Sequence, residues 1–142
     1  MRAHHVHIEH RFAKPPELIF DHLAEHENLS AVFGASIKRL SDGQDGHRNG
    51  VGSVRQLKMG PLAPFEETVT EYVPHDRIAY RITKGSPLRD HLGVMTFAPD
   101  AGGTHFVYDI RLGSPVPGLA LLVSAALTRS IARSLPAVER LA

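Results

Sequence analysis

Between residues 4 and 12 apolar and polar side chains alternate. Val6, Ile8, His10 and Phe12 fall on one face and His5, His7, Glu9 and Arg11 on the other, the pattern of a half-buried strand. Lys14-Pro15-Pro16-Glu17 ends that strand and opens a helix. Residues 17–25 carry Leu18, Ile19 and Leu23 at helical spacing. A second short helical turn is predicted over 28–33, with Gly34 suited to close it.

The period then changes to that of strands. Residues 35–40, 51–58, 65–73, 77–84, 91–98 and 104–112 are predicted strands. A glycine-rich turn, Asp42-Gly43-Gln44-Asp45-Gly46, follows the first of them. The later separators are Gly60-Pro61, Pro74-His75-Asp76, Gly85-Ser86-Pro87 and Pro99-Asp100-Ala101-Gly102-Gly103. Each is a turn composition. Connections this short imply antiparallel hairpins, because a parallel crossover needs about a dozen residues or more. From residue 116 the helical period returns: Leu119, Leu122, Val123, Ala126, Leu127, Ile131, Leu135, Val138 and Leu141 form one apolar stripe. Pro115 and Pro117 suit its first turn, and Pro136 is expected to kink or split it. One sheet and one long amphipathic helix make an α+β arrangement in two layers.

The 142 residues fit a single domain spanning 1–142, and 42% hydrophobic content is enough for a core at that size. Sixteen basic residues stand against 15 acidic ones, so the overall charge does not point to a nucleic-acid partner or a dedicated anionic-membrane surface. There is no cysteine, which removes disulfides, thiolate metal sites and cysteine nucleophiles. Met1-Arg2-Ala3-His4-His5 lacks the apolar run of a signal peptide. The longest apolar stretch, 119–127, is interrupted by Ser124 and too short to cross a bilayer. A cytoplasmic protein without stable membrane insertion is expected.

Several segments in combination resemble the helix-grip fold of the START and birch-pollen-allergen superfamily, in particular its bacterial polyketide-cyclase-like branch. They are Ala13-Lys14-Pro15-Pro16-Glu17-Leu18-Ile19-Phe20, Gly50-Val51-Gly52-Ser53-Val54-Arg55, Glu67-Thr68-Val69-Thr70-Glu71-Tyr72, Arg77-Ile78-Ala79-Tyr80-Arg81 and Gly103-Thr104. The resemblance implies a curved antiparallel sheet of about seven strands wrapped around a long C-terminal helix, with two short helices after the first strand. It also implies a cavity for a lipid, polyketide or aromatic molecule, since some members of that superfamily cyclise or dehydrate polyketides and others bind or carry. No cofactor and no metal is expected.

Hairpin pairing predicts which side chains face inward, because each strand must keep its apolar set on one side. Folding about Gly60-Pro61 sets Leu57 opposite Phe65, Arg55 opposite Glu67 and Ser53 opposite Val69. Folding about Pro74-His75 sets Val69 near Tyr80 and Glu67 near Ile82. The next turns bring Ile82 near His91, Tyr80 near Gly93, Met95 near Tyr108 and Phe97 near Phe106, with Ile78 and Ile110 on the same face. Arg55, Glu67 and His91 thus fall among apolar residues, as small-molecule sites require. The expected ligand contacts are Arg55, Glu67, Val69, Tyr80, Ile82, His91, Met95 and Tyr108, with Leu122 and Ala126 from the tail helix closing the site.

In this constellation Arg55 can hold a carboxylate or polarise a carbonyl, and His91 or Glu67 can act as general base. A tyrosine hydroxyl can stabilise an enolate. The plainer reading is an Arg55–Glu67 cross-strand ion pair, with His91 and the tyrosines as satisfied core groups. The leading function is binding of a small apolar molecule. One alternative is a polyketide cyclase or dehydratase. Another is a protein-interaction module with a filled core and an exposed apolar patch, and a homodimer is left open.

Other signals are weaker. His22-Leu23-Ala24-Glu25-His26 matches the H-x-x-E-H pattern of inverted zinc proteases, on a helix too short and without a partner glutamate. His4, His5, His7 and His10 divide between two strand faces and do not converge. Gly50-Val51-Gly52 lacks the third glycine and following helix of a dinucleotide site. No nucleophile elbow supports a triad of Ser53 and His91.

Overall fold

A computed structural model describes residues 3–44 and 46–142; Met1, Arg2 and Asp45 of the segments read above lie outside the described residues. In chain order the elements are β1 (His4–Phe12), α1 (Pro16–Ala24), a 3-10 turn (His26–Asn28), α2 (Leu29–Phe33), β2 (Ser36–Ser41), β3 (Val54–Lys58), β4 (Phe65–Val73), β5 (Arg77–Lys84), β6 (Arg89–Asp100), β7 (Gly103–Gly113) and α3 (Leu119–Leu141). The strands form one seven-stranded sheet in the order β1-β7-β6-β5-β4-β3-β2. Every neighbouring pair is antiparallel.

Local chemistry explains most boundaries. Pro16 occupies the first turn of α1, where its missing N–H is no loss. Gly34 closes α2 at φ 66°, a left-handed conformation that glycine adopts without strain. Alternation holds β1 in place: Val6, Ile8 and Phe12 are buried, and His10 stacks edge-on against Phe12 at 4.7 Å. In β4 the register shifts between Glu66 and Glu67 and again between Val69 and Glu71. Such bulges bend a strand and increase its twist, which helps the sheet to curve around α3.

Four details differ from the sequence reading. Strand β3 begins at Val54 rather than at residue 51, because residues 50–53 turn: Gly52 takes φ 88° and the Ser53 N–H bonds back to the Gly50 carbonyl. Leu18 lies on the solvent side of α1 at 46% exposure, and Phe20, fully buried, takes its place on the core face. Helix α3 starts at Leu119, after Gly118 at φ 77°, so Pro115 and Pro117 precede it. Pro136 does not split α3. Both Pro136 and Ala132, whose carbonyl loses its helical donor, are exposed residues, so the proline ring faces no packed neighbour layer.

The core lies between the concave face of the sheet and α3, which contributes Ala120, Val123, Leu127, Ile131, Leu135 and Val138. An aromatic chain crosses it from Phe12 to Phe106, Phe97, Phe20 and Tyr72, with ring centroids 5.1–5.6 Å apart. Each of the four phenylalanines stabilises the fold by roughly 1.5–3 kcal/mol through burial. The Glu139 carboxylate accepts the Ala13 and Lys14 N–H groups, and Lys14 Nζ donates to the Ala142 carbonyl. These bonds fasten the end of α3 to the β1–α1 corner.

Gly93 marks the tightest approach on the concave face, where a Cβ would collide with the ring of Tyr80 at Cζ. Gly93→Ala is therefore expected to destabilise the protein by about 1–3 kcal/mol, read as a lowered urea midpoint at unchanged slope.

Candidate functional site

Arg55 on β3, Glu67 on β4 and His91 on β6 bring three polar groups to the concave face, with Tyr80 on β5 and Tyr108 on β7 beside them. Arg55 on β3 pairs directly with Glu67 on β4, and Glu67 with Ile82 on β5. Val69 pairs with Tyr80, Tyr80 with Gly93, Met95 with Tyr108 and Phe97 with Phe106, the registers expected from the hairpins. Arg55, Glu67 and His91 are 2%, 5% and 7% exposed, so all three charged or titratable groups are taken out of water together.

The Arg55 Nε donates to Glu67 Oε1 at 2.9 Å. Its Nη2 lies 2.8 Å from the same oxygen but off the hydrogen-bond direction, so these N–H groups have no partner. The guanidinium is stacked over Tyr80, 4.6 Å from the ring centroid, and faces Phe33 at 5.7 Å. His91 Nδ1 accepts the Ile82 backbone N–H at 2.9 Å. In the neutral ring the proton therefore sits on Nε2, which faces Glu67 Oε2 from 3.8 Å. Burial lowers the His91 pKa, and the Glu67 charge opposes that shift. The Tyr80 and Tyr108 hydroxyls bond each other, and burial raises both phenol pKa values. Arg55–Glu67 is thus the cross-strand pair of the plainer reading, and around it stand more donors than acceptors.

The space beside this cluster is small. An internal cavity of about 20 Å³ is lined by Glu67, Tyr80, Ile82, His91, Phe33, Met59 and other apolar residues, room for about one water. The resemblance implied an enclosed cavity of no stated volume, and here the rings of Tyr80, Tyr108, Phe97 and Phe106 are buried on the concave face beside it. A larger space lies beside it. A groove of about 390 Å³ runs between the β3–β4 loop, the end of α2 and the start of α3, lined by Met59, Leu62, Leu119, Leu122, Val123 and Ala126 among others. Leu122 (69% exposed) and Ala126 therefore line this outer groove. Val69, Met95 and Tyr108 are buried without lining either space. Phe33 and Met59 belong to both walls.

One buried polar pair was not legible as such. His26, fully buried, places Nε2 3.1 Å from Ser53 Oγ, and that hydroxyl donates to the Gly50 carbonyl. The hydroxyl proton being used, Nε2 must be the donor, and Nδ1 is left without a partner. Burial, assisted by the Arg55 and Arg39 charges, lowers the His26 pKa to about 3. The H-x-x-E-H spacing would place His26 beside His22 on one helix. Instead α1 ends at Ala24, and His22 bonds Asn28. Glu25 binds Arg39 and Arg48. Arg39 also holds Glu27, lowering its pKa to about 2. No group of three metal-ligating side chains converges among the described residues.

Comparison with known proteins places these features in a wider set. The sequence model of a family described as "Polyketide cyclase / dehydrase and lipid transport" matches residues 3–142. No curated protein matches the sequence. Among solved structures, a protein of Thermus thermophilus superposes with TM-score 0.73 at 18% identity, covering 96% of this chain and 95% of its own. Norcoclaurine synthase of Thalictrum flavum, solved with dopamine and hydroxybenzaldehyde, gives 0.71 at 12%, covering 99% and 86%. The Zhui aromatase/cyclase of Streptomyces gives 0.70 at 20%, covering 97% and 92%. These likenesses establish the helix-grip fold.

Two measurements follow from the geometry. Glu67→Leu alone is expected to cost about 3–5 kcal/mol by leaving Arg55 buried and unpaired, whereas Arg55→Met/Glu67→Leu together cost much less; a double-mutant cycle in denaturant reads the difference. His26 is a base whose folded pKa lies below its unfolded value of 6.5. The unfolded chain therefore binds the extra proton between those values, and stability falls as pH drops below 6.5. The expected slope is about 1.4 kcal/mol per pH unit from this group, and His26→Gln should flatten it in melts taken across pH 6.5 to 4.

Proposed function

Because the chain belongs to the polyketide cyclase / dehydrase and lipid transport family, we propose that it binds a small apolar molecule whose body lies in the outer groove and whose polar end reaches the Arg55–Glu67–His91 cluster. The observation that carries this reading is the shared wall. Phe33 and Met59 alone line both the groove and the inner cavity, so movement of two side chains would join an apolar slot to a polar end. The groove volume falls within the range of small-molecule sites, roughly 300–1,000 Å³.

The cluster also suggests what the polar end is. Arg55 and Glu67 already neutralise each other, so an incoming charge would be uncompensated in a buried place. The donor left without a partner is Arg55 Nη2, and the His91 Nε2–H lies beside it, 3.8 Å from Glu67 Oε2. A neutral acceptor such as a ketone, ester or phenol oxygen satisfies them; an ammonium does not. In this reading 1–142 acts as one cytoplasmic domain, with no nucleic-acid partner.

Catalysis is the second reading, favoured by one detail. Glu67 lines the cavity, and its Oε1 is held by Arg55 while Oε2 lies 3.8 Å from His91 Nε2, beyond hydrogen-bond reach. It is the better placed of the two candidate bases, because the one acceptor nitrogen of neutral His91 already takes the Ile82 N–H. Removal of a proton next to a carbonyl held by the donors would be the corresponding step of a cyclase or dehydratase.

Native mass spectrometry of the protein purified from its own host, followed by organic extraction, tests the binding reading. An apolar molecule should accompany the wild-type protein, be lost in Ala126→Glu, which obstructs the groove without touching the core, and be reduced in His91→Ala. Wild-type protein that carries nothing, and whose melting temperature is unmoved by a panel of lipids and aromatic ketones, would sink it.

A further inference from the structure

The two ends of the sheet differ in charge, although the chain as a whole is balanced. Antiparallel pairing gathers the β3–β4 loop (59–64), the β5–β6 loop (85–88) and the β7–α3 loop (114–118) at one end, beside the end of α2. Their sequences are Met59-Gly60-Pro61-Leu62-Ala63-Pro64, Gly85-Ser86-Pro87-Leu88 and Ser114-Pro115-Val116-Pro117-Gly118, with no charged residue in any of them. The absence of charge continues along α3 as far as Thr128. At the opposite end, each of the connections between β2 and β3, β4 and β5, and β6 and β7 carries or adjoins an aspartate: Asp42, Asp76 and Asp100.

Cations border the uncharged end. Lys58 precedes the first loop, Lys84 and Arg89 flank the second, and Arg111 comes shortly before the third. Lys58 Nζ donates to the Gly60 and Leu62 carbonyls, which holds its charge over that loop. The acids nearby are Glu66, 3.8 Å from Lys84, and Asp90. At the same end Val116, Leu121 and Leu122 are 47%, 59% and 69% exposed, and Leu122 also lines the 390 Å³ groove. Exposed aliphatics gathered at one end of the fold, beside an apolar groove, suit an interaction surface.

We propose that this end docks on an anionic phospholipid surface, with Val116, Leu121 and Leu122 entering the boundary between headgroups and acyl chains and the bordering cations meeting the headgroups. Aliphatic side chains ringed by Lys and Arg are the combination such surfaces bind. A second copy of the chain fits less well, because a two-fold axis would bring the cationic borders together. Docking would set the groove mouth against the bilayer, yet it requires nothing of the inner cavity, so it stands or falls separately from the ligand reading.

Flotation of the full chain with vesicles tests it, using phosphatidylcholine alone and an equal mixture with phosphatidylglycerol. The protein should float with the mixed vesicles, remain behind with the neutral ones and be released at high salt. Leu121→Glu/Leu122→Glu should lower the bound fraction about tenfold or more at an unchanged melting temperature, and Lys84→Glu/Arg89→Glu should do likewise; Val116→Glu, in a loop, serves if the helix pair fails to fold. Equal flotation with neutral vesicles, no flotation with anionic ones, or indifference to these substitutions overturns the proposal. So does a wild-type dimer that ignores vesicles and becomes monomeric in Leu121→Glu/Leu122→Glu, which would make the face a contact between copies.

Discussion

A single helix covers a seven-stranded sheet only if the sheet curves and every strand turns its apolar residues to the concave side. That constraint sets the register of each hairpin, since a one-residue slip would exchange the two faces. From β3 to β7 it is met strand by strand: Leu57, Phe65, Val69, Tyr80, Met95, Phe97, Phe106 and Tyr108 are all buried, whereas the edge strand β2 buries none of its residues. The bulges of β4 help bend the sheet, and Gly93 leaves room for Tyr80 to lie flat across it. The consequence is an interior packed with aromatic rings, in which the buried charges have to satisfy one another.

That they do so only in part is the chemically informative point. Arg55 and Glu67 form a buried pair, but Arg55 Nη2 has no hydrogen-bond partner, and His91 Nε2 lies 3.8 Å from Glu67 Oε2. An unsatisfied buried donor is costly, so its persistence beside a small cavity bears on function more than the ion pair itself. His26 and Ser53 differ. They sit behind the cluster, where the turn at residues 50–53 closes on the 3-10 turn, and their role is to hold that corner.

Viewed from end to end, the molecule separates its tasks. One end carries the charged turns and the Arg39 network with Glu25 and Glu27. The other carries prolines, glycines and exposed aliphatics around the groove. Balanced total charge hides this, because composition sums over both ends. In the folded chain the hairpin topology brings loops far apart in sequence into one uncharged surface.

Much of this is legible in the chain itself. Alternation in residues 4–12 and 65–84, turn compositions and the 3.6-residue stripe of the tail depend on local chemistry, so strands, hairpins, inward face and the Arg55–Glu67 opposition follow from sequence. Leu18, expected on the core face with Ile19 and Leu23, is exposed while Phe20 is buried, because helical spacing gives a face but not which neighbour it meets. Pro136 leaves α3 whole because a proline's effect depends on what surrounds the orphaned carbonyl. Spacing alone makes His26 a neighbour of His22, since its real partner, Ser53, lies in another turn. Cavity volume is not written in the sequence at all: it is the small difference between a large enclosed space and the rings that fill it. Sequence determined which side chains face inward; only packing in three dimensions decided how little space they leave and at which end it opens.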